Sequence, residues 1–293
     1  MLWQTSRFQI DLTIPKVMGI VNVTPDSFSD GGLHGDVEAA LRHCEQLIHD
    51  GADILDIGGE SSRPGAEPLG TDDELARVLP VVREAAKWGL PVSVDTYKPQ
   101  VMQAVLDLGA DIINDIWALR WHDTTQSIAQ ATGLQVIAAH ASCGVCLMHM
   151  HREPQTMQMQ PMHGDAPAQI RLFLERCALD LQSMGVEKSR IAIDPGIGFG
   201  KTAAQNFSLL AHQSALLDLG YAVLVGWSRK SSLATMTAGP QLSASERLIP
   251  SVAAALLAAQ KGAHVLRVHD VKETVQALKV LVACGSGIPP LGF

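Results

Sequence analysis

The sequence predicts a parallel α/β fold, a single-domain (β/α)8 TIM barrel, and three observations carry that expectation. Short runs rich in Val, Ile and Leu recur eight times, helix-length amphipathic segments lie between them, and no Pro-rich or low-complexity linker interrupts the series. Continuous apolar strands alternating with helices mark a parallel sheet covered on both faces. Eight such units fit one closed barrel, for which a length near 293 residues is ordinary. A doubly wound open sheet has the same periodicity and is the structural alternative. The domain is expected to occupy residues 1–293, with its core over about 17–281.

The eight strands are expected in "VMGIV", "DILDI", "PVSVD", "DIIND", "GVCLM", "IAIDP", "AVLVG" and "HVLRV". Between them, "VEAALRHCEQLIHDG", "DELARVLPVVREAAKWG", "PQVMQAVLDLG" and "SVAAALLAAQKG" carry apolar residues at helical spacing, and each runs into a glycine, a common helix stop. The fifth strand has two candidates, because "QVIAAHASCG" offers a competing apolar run at about 135–139; the segment 144–148 is preferred.

Composition excludes several classes. The chain is 47% hydrophobic and 18% charged, as in a globular protein with a large core. A formal charge of −8 argues against a sequence-independent grip on nucleic acid. The N-terminal "MLWQTSRFQIDLTIP" has no signal-peptide pattern and no apolar run is long enough to span a bilayer, so a cytoplasmic protein is expected. Five scattered cysteines fit reduced thiols, and Cys143-x-x-Cys146 has no second pair to complete a zinc site.

The run "DPGIGFGKT" (194–202) resembles a phosphate loop but misses G-x-x-x-x-G-K-[ST] by one position, since Pro195 stands where the first glycine belongs and has no N–H to offer. In a parallel barrel the active site is built past the C-terminal ends of the strands. Those positions hold Asn22; Glu60, Ser62 and Arg63; Asp95; Asn114; His149; Asp194; Ser228, Arg229 and Lys230; Arg267 and His269. Carboxylates and amides there suit a flat heterocycle, and the cations suit an anion. Several also have ordinary explanations: Asp95 and Thr96 as helix caps, Asn114-Asp115 and Asp194-Pro195 as turns, and Arg229, Lys230 and Arg267 as solvated charges. His269 differs, because Asp270 and Glu273 at capping-box spacing start a helix beside it, and helix N-termini favour anions. Those explanations would all have to hold at one end of successive strands. Two loops rich in Gly, Pro and Ser, "NVTPDSFSDGG" and "GGESSRPGA", have the composition of mobile lids.

From about residue 17 to 281 the sequence resembles the dihydropteroate synthases, which condense a dihydropterin diphosphate with p-aminobenzoate in folate biosynthesis. The matching stretches are "GIVNVTPDSFSDGG", "GGESSRPGA", "SVDTYKP", "INDI", "CLMHM", "DPGIGFGKT", "GWSRKS", "SERL" and "GAHVLRVHDVKET". The resemblance implies a TIM barrel, a homodimer, a sulfonamide target and dependence on Mg2+. It implies that Asp194, Asn114, Asp95 and Lys230 bind the pterin, and that Asn22, Ser62, Arg63, Arg267 and His269 hold the diphosphate, with Asn22 also at the metal. Phe199, Lys230 and Ser231 fall at the p-aminobenzoate site, and Arg63, Asp95, Lys230 and Arg267 carry the catalytic assignment. Departures from the family pattern are Ser62 for threonine, His151-Arg152 for Gln-Gly, Ala234 for glycine, Pro250 inside a helical stretch, and an apparent insertion around 132–143. His149-x-His151 resembles a metal pair but lacks an evident third ligand. The rival readings are a pterin-binding methyltransferase domain, which has no use for a diphosphate grip, and a pterin-binding paralogue without catalysis.

Overall fold

Alternation along eight strands builds the molecule, seen here as a computed structural model that describes residues 1–24, 32–63, 65–121, 131–237 and 242–284. An antiparallel hairpin comes first, β1 (Leu2–Gln4) and β2 (Gln9–Asp11). The barrel strands follow: β3 (Lys16–Asn22), β4 (Ile54–Gly58), β5 (Val92–Asp95), β6 (Ile112–Asp115), β7 (Gly144–Met148), β8 (Ile191–Asp194), β9 (Ala222–Val225) and β10 (Val265–Val268). They pair in parallel in sequence order, and β10 closes on β3. Closure removes the doubly wound alternative, and all eight strands lie where the apolar runs put them.

The helices are α1 (Gly32–His49), α2 (Thr71–Ala85), α3 (Pro99–Asp107), α4 (Gly133–Ala139), α5 (Ala166–Ser183), α6 (Ala203–Ala211), α7 (Ser214–Leu217), α8 (Ser231–Thr237), α9 (Leu248–Gln260) and α10 (Val271–Ala283). The competing run at 135–139 is α4, not a strand. Thr132 and Gln135 form a reciprocal capping box at its start, which fixes those residues as helix. The apparent insertion around 132–143 is therefore a short helix on the way into β7. Pro250 is tolerated because it sits in the first turn of α9, where its missing N–H removes no intrahelical bond.

Side chains of a strand point alternately to its two faces. Val21, Leu55, Val94, Ile113, Leu147, Ile193, Val225 and Leu266 join the shell packed against the helices. With the opposite parity, Met18, Ile54, Ile112, Cys146, Ala192, Leu224 and Val265 fill the lower barrel interior together with Trp3, Ile10 and Leu12 of the hairpin region. Trp3 is fully buried, and its indole N–H donates to the Arg190 carbonyl at 3.0 Å. Arg7 adds an ion pair with the buried Asp111 at 2.6 Å. The hairpin thus closes the N-terminal end of the barrel and leaves the other end for chemistry.

Candidate active site

Two residues further along the same inward-facing rows, the interior changes character. Above Ile54 stands Asp56, above Ser93 stands Asp95, above Ile112 stands Asn114, above Ala192 stands Asp194, and above Val265 stands Arg267. Arg267 Nε donates to Asp56 Oδ2 at 2.6 Å and its Nη2 donates to Asp95 Oδ2 at 2.7 Å. Ser93 Oγ donates to Asp56 Oδ1 at 2.6 Å, and Asn114 Nδ2 lies 3.3 Å from Asp56 Oδ2. That orientation of Asn114 leaves its amide oxygen as an acceptor.

One guanidinium cannot neutralise two carboxylates. Burial, with the Asp56 charge beside it, pushes Asp95 up to about 7 against the pull of Arg267. The two carboxylates in turn hold Arg267 firmly protonated. Asp56 was not among the residues singled out from the sequence, because "DILDI" reads as one apolar strand. The signal available was its parity with Ile54.

Asp194 is nearly fully buried and accepts the Gly196 N–H at 2.7 Å on one oxygen, so its other oxygen is open toward the barrel mouth. Burial raises it to about 6, opposed by that hydrogen bond and by Lys230, Lys201 and Arg267. Gly196 has φ +66°, and a side chain there would run into the carbonyl of His149, so the chain can pass beside Asp194 only as glycine. The lysine of "DPGIGFGKT" is structural. Lys201 is 3% exposed, and its three ammonium protons meet the carbonyls of Gly196 (2.7 Å), Phe199 (3.0 Å) and His149 (3.2 Å). It ties the loop after β8 to the one after β7 and has no donor left for a phosphate.

Lys230 is arranged differently. Its ammonium lies 4.3 Å from the centre of the Phe199 ring, and desolvation followed by the Arg267 charge lowers its pKa to about 8. Ser231 is exposed at the first position of α8. Its neighbour Ser232 accepts from Asn206 Nδ2 at 2.8 Å, while Asn206 Oδ1 accepts the Gly198 N–H at 3.0 Å, which couples the β8 and β9 loops. Ile116, Met148, Met150, Met157 and Phe199 form an apolar cluster at the same end of the barrel, flanked by Tyr97 and Trp117.

After β10, the His269 N–H donates to Ser228 Oγ at 3.1 Å, and the same oxygen lies 3.0 Å from His269 Nδ1. In the tautomer where the hydroxyl donates to Nδ1, Nε2–H is left as a donor. Burial and the positive charges of Arg229, Arg267, Lys230 and Arg63 lower His269 to about 3, so it acts as a neutral donor. Asp270 does not form the expected capping box, because its carboxylate is held by Arg229 at 2.5 and 3.2 Å. That pair also removes the solvated-charge reading of Arg229. Asp95 and Thr96 do not cap α3 either, as its N-cap position is Lys98. Asp115 does make a turn, accepting the N–H groups of Trp117 and Leu119 at 2.7 Å each.

Asn22 ends β3 and is half-buried; Ser62 is half-buried and Arg63 exposed in the loop after β4. The root of that loop is anchored by Glu60, which accepts from Tyr97 Oη at 2.8 Å and pairs with Lys98; Lys98 also pairs with Glu74 of α2. Glu60 lies on the rim as its place in the sequence implies, while its partners Tyr97 and Lys98 leave no mark in the sequence. A cavity of about 240 Å³ opens above them between Glu60, Tyr97, Trp117, Trp121 and Glu153, reaching Asp95 and Ile116; Phe199, Lys230 and Ser231 are not among its walls. Most of the first lid loop, residues 25–31, and Pro64 lie outside the described residues. Arg152 has φ +64°, a left-handed conformation that suits glycine and costs the arginine about 1–2 kcal/mol. Ala234, by contrast, is buried in α8 with no left-handed backbone. His149 is 7% exposed with an unpartnered Nδ1, and no group of three or more His, Cys, Asp or Glu is clustered for a metal among the described residues.

Comparison with known proteins follows the same outline. The profile of the family described as "pterin binding enzyme" matches residues 18–269. The chain is 44% identical over 289 residues to the dihydropteroate synthase of Neisseria meningitidis serogroup B, covering 97% of this chain and 98% of that one. Among solved structures, Xanthomonas albilineans dihydropteroate synthase with 4-aminobenzoic acid superposes with a TM-score of 0.85 at 46% identity, covering 95% of this chain and 96% of that one. The Burkholderia cenocepacia enzyme complexed with 7,8-dihydropteroate gives a TM-score of 0.85 at 42% identity, covering 97% and 96%.

Proposed function

The chain belongs to the dihydropteroate synthase family of pterin-binding enzymes, and from that premise we propose which of its residues perform each part of the reaction. It condenses 6-hydroxymethyl-7,8-dihydropterin diphosphate with p-aminobenzoate, giving 7,8-dihydropteroate and diphosphate. The observation that carries the assignment is the polar layer of the barrel interior, where Asp95, Asn114, Asp194 and Arg267 converge beside Lys230 stacked on Phe199.

A pterin presents its 2-amino and ring N–H groups as adjacent donors, and the open oxygen of Asp194 is the acceptor suited to them. Asn114 and Asp95 meet neighbouring ring nitrogens, and Lys230 reaches the carbonyl side. Ile116, Met148 and Phe199 supply apolar walls for the flat ring. Asn22, Ser62, Arg63, Arg267 and the Nε2–H of His269 hold the diphosphate, while Phe199, Lys230 and Ser231 hold p-aminobenzoate.

Diphosphate leaves the pterin methylene carbon as the C–O bond breaks, and the arylamine nitrogen forms the new C–N bond and gives up a proton. Negative charge grows on the leaving group, so the positive charges of Arg63 and Arg267 stabilise the transition state more than the ground state. No covalent enzyme intermediate is needed. For Mg2+ the donor set offers the Asn22 amide oxygen, with no acidic cage among the described residues, and the rest of the shell would come from phosphate oxygens and water. Bound there, it would supply further positive charge to the departing diphosphate.

Exposed apolar side chains at Ile249, Leu257, Val280 and Val282 on α9 and α10 support a homodimer. Five free cysteines, four of them buried, support a reducing cytoplasmic setting. The test of function is an assay of purified protein with the pterin diphosphate, p-aminobenzoate and Mg2+. Equal amounts of diphosphate and dihydropteroate are expected; tight pterin binding with neither product would favour the non-catalytic paralogue.

A further inference from the structure

The "SERL" segment is given no part in the substrate assignments above, yet it reaches the loop that carries Lys230. Arg229, the residue just before that lysine, has φ +59°, a conformation that non-glycine residues rarely adopt. The N–H, the carbonyl and the guanidinium of Arg229 are all engaged. Its N–H donates to Ser251 Oγ at 2.8 Å, its carbonyl accepts from Arg247 Nη1 at 2.9 Å, and its guanidinium is paired with Asp270. Arg247 and Ser251 are themselves joined, Ser251 Oγ donating to the Arg247 carbonyl at 2.5 Å. Arg247 Nη2 donates to the Leu242 carbonyl at 2.5 Å.

We infer that Arg247 and Ser251 are positioning residues for the condensation, holding the Arg229–Lys230 peptide in its left-handed turn so that the Lys230 ammonium rests on Phe199. The inference rests on the role given to Lys230 above. The left-handed turn sets where the next side chain departs, and the two α9-end residues bond both the N–H and the C=O of the strained residue. Neither touches substrate. Losing the clamp lets Arg229 relax toward ordinary backbone and moves Lys230 off the ring, and a displacement of about 1 Å at a reacting group is enough for a large rate effect.

The clamp is tested with Arg247→Met, Arg247→Lys and Ser251→Ala in the full-length protein, by steady-state kinetics in both substrates and by calorimetry with the pterin alone. Arg247→Met is expected to raise KM for p-aminobenzoate by about 10-fold or more, the effect of losing a charge-assisted hydrogen bond. Pterin affinity, set mainly by Asp194 on the β8 side with Lys230 contributing only at the carbonyl edge, should fall by a clearly smaller factor than that. Arg247→Lys keeps the charge but replaces the forked guanidinium with a single nitrogen that cannot span both carbonyls, so it should fall between. A Lys230 that swings out toward water escapes the desolvation and the Arg267 charge that hold it down, which outweighs the loss of the Asp194 and Asp95 charges, so it should titrate higher, moving the alkaline limb of the pH–rate profile upward from about 8. Should Arg247→Met not fold, Ser251→Ala removes only a hydroxyl and carries the same prediction at smaller size. An unchanged KM for p-aminobenzoate with an unmoved alkaline limb would overturn the inference. So would an equal loss of pterin affinity, which would indicate general disorder of the site. If wild type bound pterin but made no product, the failure would lie with the functional assignment instead.

Discussion

The two ends of the barrel are built from the same alternating rows and behave oppositely. At the closed end, Met18, Ile54, Ile112 and Val265 pack on Trp3 without a charge among them. At the open end, the next residues in those rows place two carboxylates on one arginine and leave Asp194 buried with a raised pKa. The closed end stabilises the fold. The open end holds groups that are poorly satisfied until a ligand supplies their partners, as expected of a binding site.

The largest effects should separate the ends. Trp3→Ala should cost about 3–5 kcal/mol of unfolding free energy, with KM for both substrates unchanged in the fraction that stays folded. Arg267→Ala should cost a similar amount, about 3–5 kcal/mol, because Asp56 and Asp95 lose their shared counter-charge. It should also weaken the pterin diphosphate while sparing a pterin that lacks phosphates. Urea melts run beside calorimetry with both ligands distinguish the two variants; equal loss of both ligands in Arg267→Ala would mean that the arginine serves the pterin pocket rather than the anion.

A smaller contrast lies inside the open end, between two lysines. Lys201→Met strands three carbonyls and should destabilise by about 1–3 kcal/mol, while KM for p-aminobenzoate stays nearly constant. Lys230→Met should leave the melting temperature unchanged or higher, since burial already penalises its charge, and should raise KM for p-aminobenzoate about 10-fold. The reverse pattern would exchange the structural and functional assignments of the two residues.

The pH profile is the mildest perturbation. Asp194 must be ionised to accept from the pterin, and burial lifts it to about 6, so kcat/KM for the pterin diphosphate should fall as pH drops below about 6. Lys230 must be protonated, and desolvation lowers it to about 8, so kcat/KM for p-aminobenzoate should fall as pH rises above about 8. Asp194→Asn should remove the acid limb and leave the alkaline one.

Much of this was legible because strand ends announce themselves. Asp95, Asn114, Asp194 and Arg267 fall at or near the ends of apolar runs, and eight runs in series imply a barrel whose C-terminal rim they share. Asp56 was hidden because a mid-strand carboxylate in "DILDI" looks like a break in hydrophobicity, when its parity with Ile54 puts it inside. The β1–β2 hairpin has strands of three residues each, too short for any period to show. Lys201 sits in a loop that nearly matches a phosphate motif, and only burial against three carbonyls reveals its role. The α4 segment was ambiguous as an apolar run, although Thr132 and Gln135 at capping-box spacing mark it as helix. Arg247 acts through a backbone carbonyl 18 residues away, and an acceptor on the main chain leaves no trace in residue types.

The most direct test of the contrast between the ends is calorimetric titration of 6-hydroxymethyl-7,8-dihydropterin into wild type and Asp194→Ala, with thermal melts of both. The polar layer as described predicts that pterin affinity falls by about 100-fold or more while the melting temperature holds or rises, since a buried carboxylate has been removed. Unchanged affinity in Asp194→Ala would contradict it.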